Sequence, residues 1–490
     1  MGAIIYSKKI LNKYNKLPVM IKASLWFVLC NILQKGISMI TVPLFTRLLT
    51  TAEYGQFSVY QSWYSILSIF STLYLFDAAY NTGMVKFKDD RDNFTISLQS
   101  LTSVLAIILL VVYLFDIDFW NKMLELPTVV ILCMDLEFLF IPAYSFWSAR
   151  QKFEYKYRNL VIFTLLISIL CPVIALISIH YAADKGIARI LSFTLVQTIF
   201  GIGFYILNAI RGGRLICIKY WKYALGFSIP LIPHYLSMTI LQQSDRIMIS
   251  KMVGTSEAAI YSIAYNISQI ILLITKAINN SYIPYTYGCL EEKNYKKLRE
   301  NTNYLLVLIG LLIFCVMLLG PELIKIFATP VYYDAVWIIP PVAVSVFLMF
   351  LYPIFSNIEF YYEKSSVAMS SSLVGAVLNL GLNYIFIKRY GYIAAGYTTL
   401  FCYMIFAIMH YYGMKKVLKQ KNIKEPVYDL KFLLLVTIIM LIVMIGVLLI
   451  YPYTIIRILL LSISLTMCFV MRNRIISIMK NLKKKDRGLK

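Results

Sequence analysis

Charged side chains are scarce in this chain. Only 14% of its 490 residues are Asp, Glu, Lys or Arg, whereas hydrophobic residues make up 60%. A soluble globular protein carries about 25% charged residues, so the composition excludes an ordinary soluble domain. The links between the apolar runs are also short. Short links argue against a membrane enzyme that carries a large catalytic domain outside the bilayer.

Motifs for nucleotide and metal chemistry are absent from the sequence. It contains no Walker A, GxGxxG or HExxH pattern, and its eight cysteines are scattered without a CxxC pair. These absences count against an ATP-driven pump, a metalloenzyme and a disulfide framework. We therefore predict a protein that is not an enzyme and holds no metal or cofactor, with coupling to H⁺ or Na⁺ left open.

Acidic residues are few compared with basic ones, 24 against 47, which gives a net charge of +23. Most basic residues fall in alternate links between the apolar runs, and a minority, among them Arg189, fall on the other side. This is the positive-inside pattern of a membrane protein, here with both termini cytoplasmic. The excess charge therefore indicates contact with the lipid bilayer rather than with nucleic acid.

Long apolar runs are what the chain has in abundance. A helix needs about 20 residues to cross the hydrocarbon core, and such helices satisfy their own backbone groups. We predict an all-α polytopic membrane protein with about fourteen transmembrane helices. The predicted spans are residues 22–48, 55–77, 95–116, 127–148, 159–180, 188–209, 224–251, 257–280, 303–326, 334–356, 366–387, 392–412, 431–450 and 453–471.

An internal repeat divides the chain into two halves. Residues 251–263 (KMVGTSEAAIYSI) echo residues 47–59 (RLLTTAEYGQFSV), 204 positions earlier. Duplication in a membrane protein is typical of transporters, whose substrate path lies between the halves. The second copy has Ala258–Ala259 where the first has Tyr54–Gly55, so it gives no support for a tight turn.

The repeat changes the prediction for the seventh span. Hydropathy alone would end this span near Gln243, but the register with the first span keeps Asp245 and Arg246 inside it. His234 lies eleven residues before Asp245, on nearly the same helical face. We predict that Asp245 is a protonatable or cation-binding switch and Arg246 an anion contact or its partner. A structural ion pair at the helix end is the alternative.

A polar face in the first span contains Asn31, Gln34 and Lys35. Lys35 lies about 20 Å from the cytoplasmic end of the span at 1.5 Å per residue, close to the midplane. An ionisable side chain at that depth costs about 3 kcal/mol, so it needs a partner or an aqueous cavity. We predict a cavity-lining cation, with a structural pair as the alternative.

Further polar faces occur in the second, eighth and eleventh spans. The second and eighth spans are counterparts in the repeat, and we predict that they border one aqueous path, although such faces can also join helices. The polar residues are Gln61, Ser65, Ser68 and Thr72; then Ser262, Asn266, Gln269, Lys276 and Asn280; then Ser372, Asn379 and Asn383. Asp77 in the second span and Asp135 in the fourth are further candidates for ion coupling.

Three segments resemble Wzx-type oligosaccharide-lipid flippases, the polysaccharide biosynthesis branch of the MOP (MATE-like) exporter superfamily. The segments are residues 31–60, 244–268 and 378–404. Their most specific parts are the helix end at Pro43–Gly55, the Asp245–Arg246 pair and the stretch Asn379–Gly396. The resemblance implies two six-helix bundles and two appended helices. The implied divisions are residues 1–210 (first bundle), 211–222 (cytoplasmic linker), 223–412 (second bundle) and 413–490 (basic loop, helices 13–14 and basic tail).

The resemblance also implies an activity in the bacterial inner membrane. An undecaprenyl-pyrophosphate-linked oligosaccharide repeat unit would move from the cytoplasmic to the outer leaflet by alternating access, for the assembly of capsule or of the O-antigen of lipopolysaccharide. Implied partners are this lipid-linked substrate, a polysaccharide polymerase and a chain-length regulator. The candidate contacts with the substrate are Lys35, Asn31, Gln34, Arg47, Arg246, Lys276, Asn266, Gln269, Gln61 and Asn379.

Two other transport functions remain open. A MATE-like cation-coupled antiporter of small molecules would favour acidic residues inside the spans, whereas the first and eighth spans here contain lysine. A lipid II flippase of the same superfamily is the second alternative. The first spans of those flippases look richer in arginine, whereas here they offer Lys35 and Arg47.

Overall fold

A computed structural model describes residues 18–364 and 366–470, except for the side chains of residues 366–368 and 468. Every regular element within these residues is helical, which confirms the all-α prediction. The predicted basic tail and the N-terminal residues before position 18 lie outside the described residues.

The described residues form two compact units, and the first ends at Ile232. In this unit α8 packs along α6 and α7, while α1 packs mainly on α7. Its helices are α1 (Val19–Leu48), α2 (Thr51–Thr72), α3 (Ala78–Lys86), α4 (Arg91–Phe115), α5 (Ile117–Leu124), α6 (Thr128–Phe153), α7 (Tyr157–Tyr181), α8 (Lys185–Arg211) and α9 (Ile218–Ser228).

The second unit begins at Pro233, one residue into α10. Helix α15 forms its core, packed along α17, and is the most deeply buried of the candidate membrane spans. The helices are α10 (Ile232–Met252), α11 (Thr255–Ser268), α12 (Ile270–Glu291), α13 (Tyr295–Leu318), α14 (Gly320–Phe327), α15 (Ile339–Tyr361), α16 (Ser366–Tyr390), α17 (Ala394–Gln420), α18 (Leu430–Ile450) and α19 (Thr454–Val470).

Both units follow one helical plan. Helix α2 begins at Thr51 and α11 at Thr255, which are 204 positions apart, and the same offset relates the starts of α4 and α13. The offset rises to 209 for the pairs α7–α16 and α8–α17, because a 3₁₀ helix at Pro330–Trp337 lengthens the link before α15. The element boundaries therefore support the repeat proposed from the short sequence echo.

In each unit a two-residue link joins the first two of its membrane helices, α1 to α2 and α10 to α11. The residues that stabilise this link differ between the units. Thr50 and Glu53 form a capping box at the start of α2, each side chain accepting a hydrogen bond from the other's backbone N–H. The equivalent link before α11 places Gly254 at the N-cap. The turn forms there without Tyr–Gly, and Ala258 and Ala259 are fully buried behind it.

Eleven helical segments of the described chain are long and apolar enough to cross a membrane. The three remaining predicted spans coincide with α2, α17 and the described part of α19, which are helices as expected. This is a protein with many membrane spans, as predicted.

Two predicted spans differ from the structure in detail. The second span was expected to run to residue 77, but its helix ends at Thr72 because Leu73 and Tyr74 adopt left-handed backbone angles. The seventh span is divided by a 3₁₀ turn at Ile229–Leu231, beside Pro230. Helix α9 before that turn starts within residues 211–222, which were expected to form a linker.

Candidate functional site

The polar face predicted in the first span lies near the middle of the 30-residue helix α1. Asn31, Gln34 and Lys35 are all exposed on it. Among the residues that the structure describes, the Lys35 ammonium group makes no hydrogen bond or ion pair. Arg47 is exposed at the end of the helix, where its guanidinium donates to the Pro43 carbonyl at 3.0 Å.

The carboxylate of Asp245 is the centre of a buried polar network in the second unit. Its Oδ1 accepts N–H groups from Asn379 at 3.2 Å and Asn383 at 2.6 Å, both on α16. Its Oδ2 accepts the Thr399 hydroxyl of α17 at 2.7 Å and the Tyr261 hydroxyl of α11. Four neutral donors from three helices thus surround a fully buried carboxylate, which can accept about that many hydrogen bonds.

A second layer of hydrogen bonds holds the amides in place. Ser244 donates to Asn379 Oδ1 at 2.7 Å, and Thr398 donates to Asn383 Oδ1. Further along the same helix pair, His234 Nδ1 lies 2.9 Å from the Ser372 hydroxyl. The polar faces predicted on the seventh and eleventh spans therefore meet each other.

The oxygen atoms of this network are suitable ligands for a hard monovalent cation. Carboxylate, amide and hydroxyl oxygens are the preferred ligands of such ions. If a cation bound at the carboxylate, a half-turn of the Asn379 or Asn383 amide would direct its oxygen, rather than its N–H, towards that cation. Among the described residues, no three His, Cys, Asp or Glu side chains are grouped so that they could hold a metal ion.

Arg246 does not pair with Asp245 in the structure. Adjacent helical residues point about 100° apart, so the two side chains face different neighbours. The Arg246 guanidinium donates to Ser262 at 3.2 Å and to Gln243 Oε1 at 2.9 Å, and lies 4.4 Å from the Tyr265 ring centre. Arg246 is only 7% exposed, so it is buried between α10 and α11 rather than lining an open surface.

The polar face of the second span is largely used within its own helix. Ser65, Ser68 and Thr72 donate to backbone carbonyls three or four residues earlier, at distances of 2.6 to 2.9 Å. Gln61 is half-buried on the same helix. These hydroxyls are therefore already satisfied, which is the helix-internal role that such faces often have.

The polar face of the eighth span is divided by a helix junction. Helix α11 ends at Ser268 and α12 begins at Ile270, with half-buried Gln269 between them. Asn266 and Lys276 on either side are exposed. These residues belong to the second unit, as do Asp245, Arg246 and Asn379, whereas the other predicted site residues belong to the first.

The two remaining predicted acids line cavities within the first unit. Asp135 borders a cavity of about 240 Å³ whose other walls are apolar side chains of α4 and α6, and its Oδ2 is buried without a hydrogen-bond partner among the described residues. Asp77 is exposed after the break that ends α2 and borders a separate polar cavity of about 290 Å³.

Two further buried carboxyl groups each interact with a side chain on a neighbouring helix. Glu137 on α6 is 1% exposed and accepts the Thr194 hydroxyl of α8 at 2.7 Å. Glu359 on α15 lies 3.0 Å from His410 Nδ1 on α17, and both side chains are buried. Helical periodicity places each residue on a face, but it cannot show which neighbour faces it.

A charged group lies outside the spans at the start of α4. The Tyr220 hydroxyl donates to Asp90, and this hydrogen bond, with a second from Asn93, holds the pKa of the Asp90 carboxyl below its usual value. Burial raises the pKa of Glu154, but hydrogen bonds from Lys156 and the neighbouring arginine outweigh it and lower the pKa overall.

The structure resembles known membrane transporters throughout its length. A lipid II flippase MurJ in an inward closed conformation matches with a TM-score of 0.67 and 14% identity, covering 92% of this chain and 99% of that one. An inward-facing multidrug resistance MATE family transporter of the MOP superfamily matches with a TM-score of 0.61 and 13% identity, covering 80% and 96%. At these identities the likeness shows a shared fold.

Sequence comparisons identify the family. Residues 230–385 match the MatE family, and a stretch of 167 residues is 28% identical to protein 1 of the Lsg locus of Haemophilus influenzae. That stretch covers 32% of this chain and 39% of the relative. The family described as "Polysaccharide biosynthesis protein" matches residues 20–287, more than half of the chain. The predicted resemblance is thereby confirmed, and the chain belongs to the polysaccharide biosynthesis protein family.

Proposed function

We propose that this protein is a flippase for polyprenyl-pyrophosphate-linked oligosaccharides. It would move undecaprenyl-linked repeat units from the cytoplasmic to the outer leaflet of a bacterial inner membrane, with both chain termini cytoplasmic. Access to the head group would alternate between the two sides. Family membership and the fold shared with a lipid II flippase and a MATE transporter support a transport function of this class.

The proposal that the substrate contains phosphate rests on Lys35. An ammonium group near the middle of a membrane helix is costly without an anionic partner. The structure gives Lys35 none among the described residues, and it leaves Asn31 and Gln34 exposed beside it. A pyrophosphate group would supply the missing anion, while the two amides hydrogen-bond to phosphate or sugar oxygens. The polyprenyl tail would remain in the lipid.

The Asp245 network is the proposed site of the coupling cation. Its carboxylate is surrounded by neutral donors, so no basic side chain in the network neutralises it. Binding of Na⁺ or H⁺ would neutralise it and would require Asn379, Asn383 or Thr399 to exchange its hydrogen bond to Asp245. Since these residues lie on α16 and α17, ion binding would change how α10 contacts both helices. This links the ion to a conformational preference.

The test uses the full-length chain in two settings. In the source bacterium, deletion of the gene should abolish surface polysaccharide and cause lipid-linked units to accumulate in the inner leaflet. In proteoliposomes, the purified chain should flip fluorescent undecaprenyl-pyrophosphate-linked oligosaccharide faster than lipid II. Equal export without the gene, or faster movement of lipid II, would overturn the proposed substrate.

Variants at Lys35 test the phosphate contact. Loss of one charge-assisted hydrogen bond costs about 1.5–3 kcal/mol, so Lys35→Ala should lower flipping roughly tenfold to a hundredfold. Lys35→Arg should retain most of it because the charge is kept. Lys122→Ala, which removes an exposed lysine from the short helix α5, is the matched control at equal expression. Normal flipping by Lys35→Ala would exclude this role of Lys35.

A further inference from the structure

A polar cavity lies within the first unit at the end of α6, and none of its lining residues belongs to α1, the helix that bears Lys35. It encloses about 290 Å³ and contains two aromatic rings and several polar groups in its lining. One wall is formed by Phe76, Asp77 and Asn81, from the link between α2 and α3 and from α3 itself. Side chains from the last three turns of α6 form the other wall.

The cavity lies where the second span of the first unit is interrupted by a non-helical link. Leu73 and Tyr74 have φ values of 46° and 50°, and five residues separate α2 from α3. At the equivalent offset in the second unit, α12 continues as a regular helix. Irregular backbone at membrane depth is tolerated where it lines a cavity, and broken helices commonly form transporter binding sites.

Most polar side chains around this cavity have no hydrogen-bond partner within the described part of the chain; the exception is Tyr144, whose hydroxyl lies 2.6 Å from that of Thr164. Among the residues that the structure describes, the side chains of Asp77, Asn81, Ser145, Ser148 and Lys152 form no hydrogen bond or ion pair. This differs from the serines of α2, whose hydroxyls are bound to their own helix. The lining therefore offers both donors and acceptors to a ligand, at the point where the helix is interrupted.

The chemistry of the lining favours a sugar ring over phosphate. Asp77 and Lys152 carry opposite charges, so the cavity has no net charge with which to select an anion. Phe76 and Tyr144 supply aromatic surface against which the apolar face of a pyranose can lie, while amide and hydroxyl groups can form hydrogen bonds with the sugar hydroxyls. Its volume is at the small end for ligand pockets, which suits one ring rather than an oligosaccharide.

We propose that this cavity binds a single hexose residue of the transported head group and selects among sugars. The inference rests on the proposed flippase function and adds a second contact, independent of the pyrophosphate contact at Lys35. A cavity that hydrogen-bonds hydroxyl groups discriminates against a sugar that lacks one of them, because its own polar groups are then left unpaired. The site thus supplies selectivity that a charge alone cannot.

Site-specific crosslinking in the native host tests this whichever hexose the head group contains. A photoreactive amino acid with a small aliphatic diazirine side chain replaces Ser145 in the full-length chain, and Ser168 in the control. Ser168 is a half-buried serine of α7 that donates to its own helix at 2.7 Å. After illumination the purified protein is analysed by mass spectrometry. We expect a hexose-containing adduct at position 145, at least tenfold more abundant than at position 168.

Two variants check that the adduct reports on the cavity. Asn81→Ala removes an exposed polar group and should lower the adduct at least threefold, while Ser148→Leu fills the cavity and should abolish it. An adduct containing a hexose supports the site whether the sugar is free or lipid-linked, and the polyprenyl mass distinguishes the two. Equal adducts at positions 145 and 168, a lipid adduct without sugar, or no response to both variants would overturn the inference. Export of polysaccharide without the gene would instead overturn the proposed function.

Discussion

The two units bury opposite charges in corresponding regions of the repeat. In the first unit Arg189, near the start of α8, has its guanidinium carbon 3.9 Å from the ring centre of Phe45 and 3.8 Å from that of Phe57. The position 209 residues later is Thr398, and the position 204 residues after Phe57 is Tyr261. Both of these belong to the network around Asp245.

The difference shows how one scaffold can serve two purposes. Arginine stays protonated at all relevant pH values, and aromatic faces stabilise its charge without water. Arg189 therefore acts as a permanent connection between α8 and the first helix pair. Asp245 is held by neutral hydrogen bonds, which the coupling cation proposed above would replace. We infer that the first unit is fixed at this step, whereas the second can respond to an ion.

Asp245→Asn should have the largest effect on the difference between the two units. The substitution keeps the shape but removes the charge, and loss of a buried charged partner is worth roughly 3–5 kcal/mol, or more than a hundredfold in cation affinity. We expect flipping that no longer depends on Na⁺ or pH, measured in proteoliposomes with imposed ion gradients.

Lys251→Ala, at the exposed end of the same helix, is the control for Asp245→Asn and should keep the wild-type ion dependence. If Asp245→Asn still responds to an imposed Na⁺ or H⁺ gradient as the wild type does, Asp245 is a structural residue and the two units do not differ in this way.

Arg189→Ala should mainly lower stability. It removes a buried side chain from contact with three rings, and such a truncation costs about 3 kcal/mol through lost packing and the remaining cavity. We expect a lower melting temperature for the purified chain in detergent, with flipping per folded molecule unchanged. Arg211→Ala, exposed at the end of the same helix, should melt like the wild type. Loss of flipping in fully folded Arg189→Ala protein would contradict a purely structural role.

Tyr261→Phe makes the second unit resemble the first, which has phenylalanine at this step of the repeat. A hydrogen bond to a charged group is lost, so the free energy of unfolding should fall by roughly 1.5 kcal/mol. Tyr403→Phe is the matched control, because the Tyr403 hydroxyl is buried without a hydrogen-bond partner among the described residues. Equal melting temperatures for the two variants would show that the Tyr261 hydroxyl does not support Asp245.

Periodicity and the repeat predicted that the spans are helical and that Asp245 lies within the seventh of them. Hydropathy alone would have ended the seventh span before this residue, but the register with the first span placed it inside, and α10 indeed continues to Met252. The polar face on the eleventh span was also predicted, because its residues recur at helical spacing. Helical periodicity describes each helix by itself and does not show which other helices it contacts.

What the sequence could not show is which side chains from different helices meet. Arg189 was counted with the outer basic residues from its position in the alternating pattern of spans. Hydropathy treats a guanidinium only as a cost and cannot detect the ring faces on α1 and α2 that contact it. The sequence left open a pairing of Asp245 with Arg246, which the structure does not show, because neighbours in sequence face different helices. The break after Thr72 depends on backbone angles at two ordinary residues, for which the sequence contains no glycine signal.

A last difference between the units lies outside the spans and should have the smallest effect. Asp90 precedes α4, and the residue 204 positions later, Asn294, precedes α13. The Tyr220 hydroxyl lowers the pKa of Asp90, so the folded state is favoured above the unfolded pKa of about 3.9. This contribution disappears as the pH falls through the lower, folded value. Asparagine cannot titrate, so the second unit has no such dependence at this position.

Asp90→Asn should therefore make the first unit follow the second. Melting temperatures of the wild type and the variant, measured from pH 7 down to pH 3, should converge at the acid end, because protonation weakens the wild-type carboxylate's interaction with Tyr220. Tyr220→Phe should give the same loss of acid dependence, since it removes the donor rather than the acceptor. A constant difference between wild type and Asp90→Asn at every pH would mean that the hydrogen bond matters only for its geometry, and that the charge at this step of the repeat is incidental.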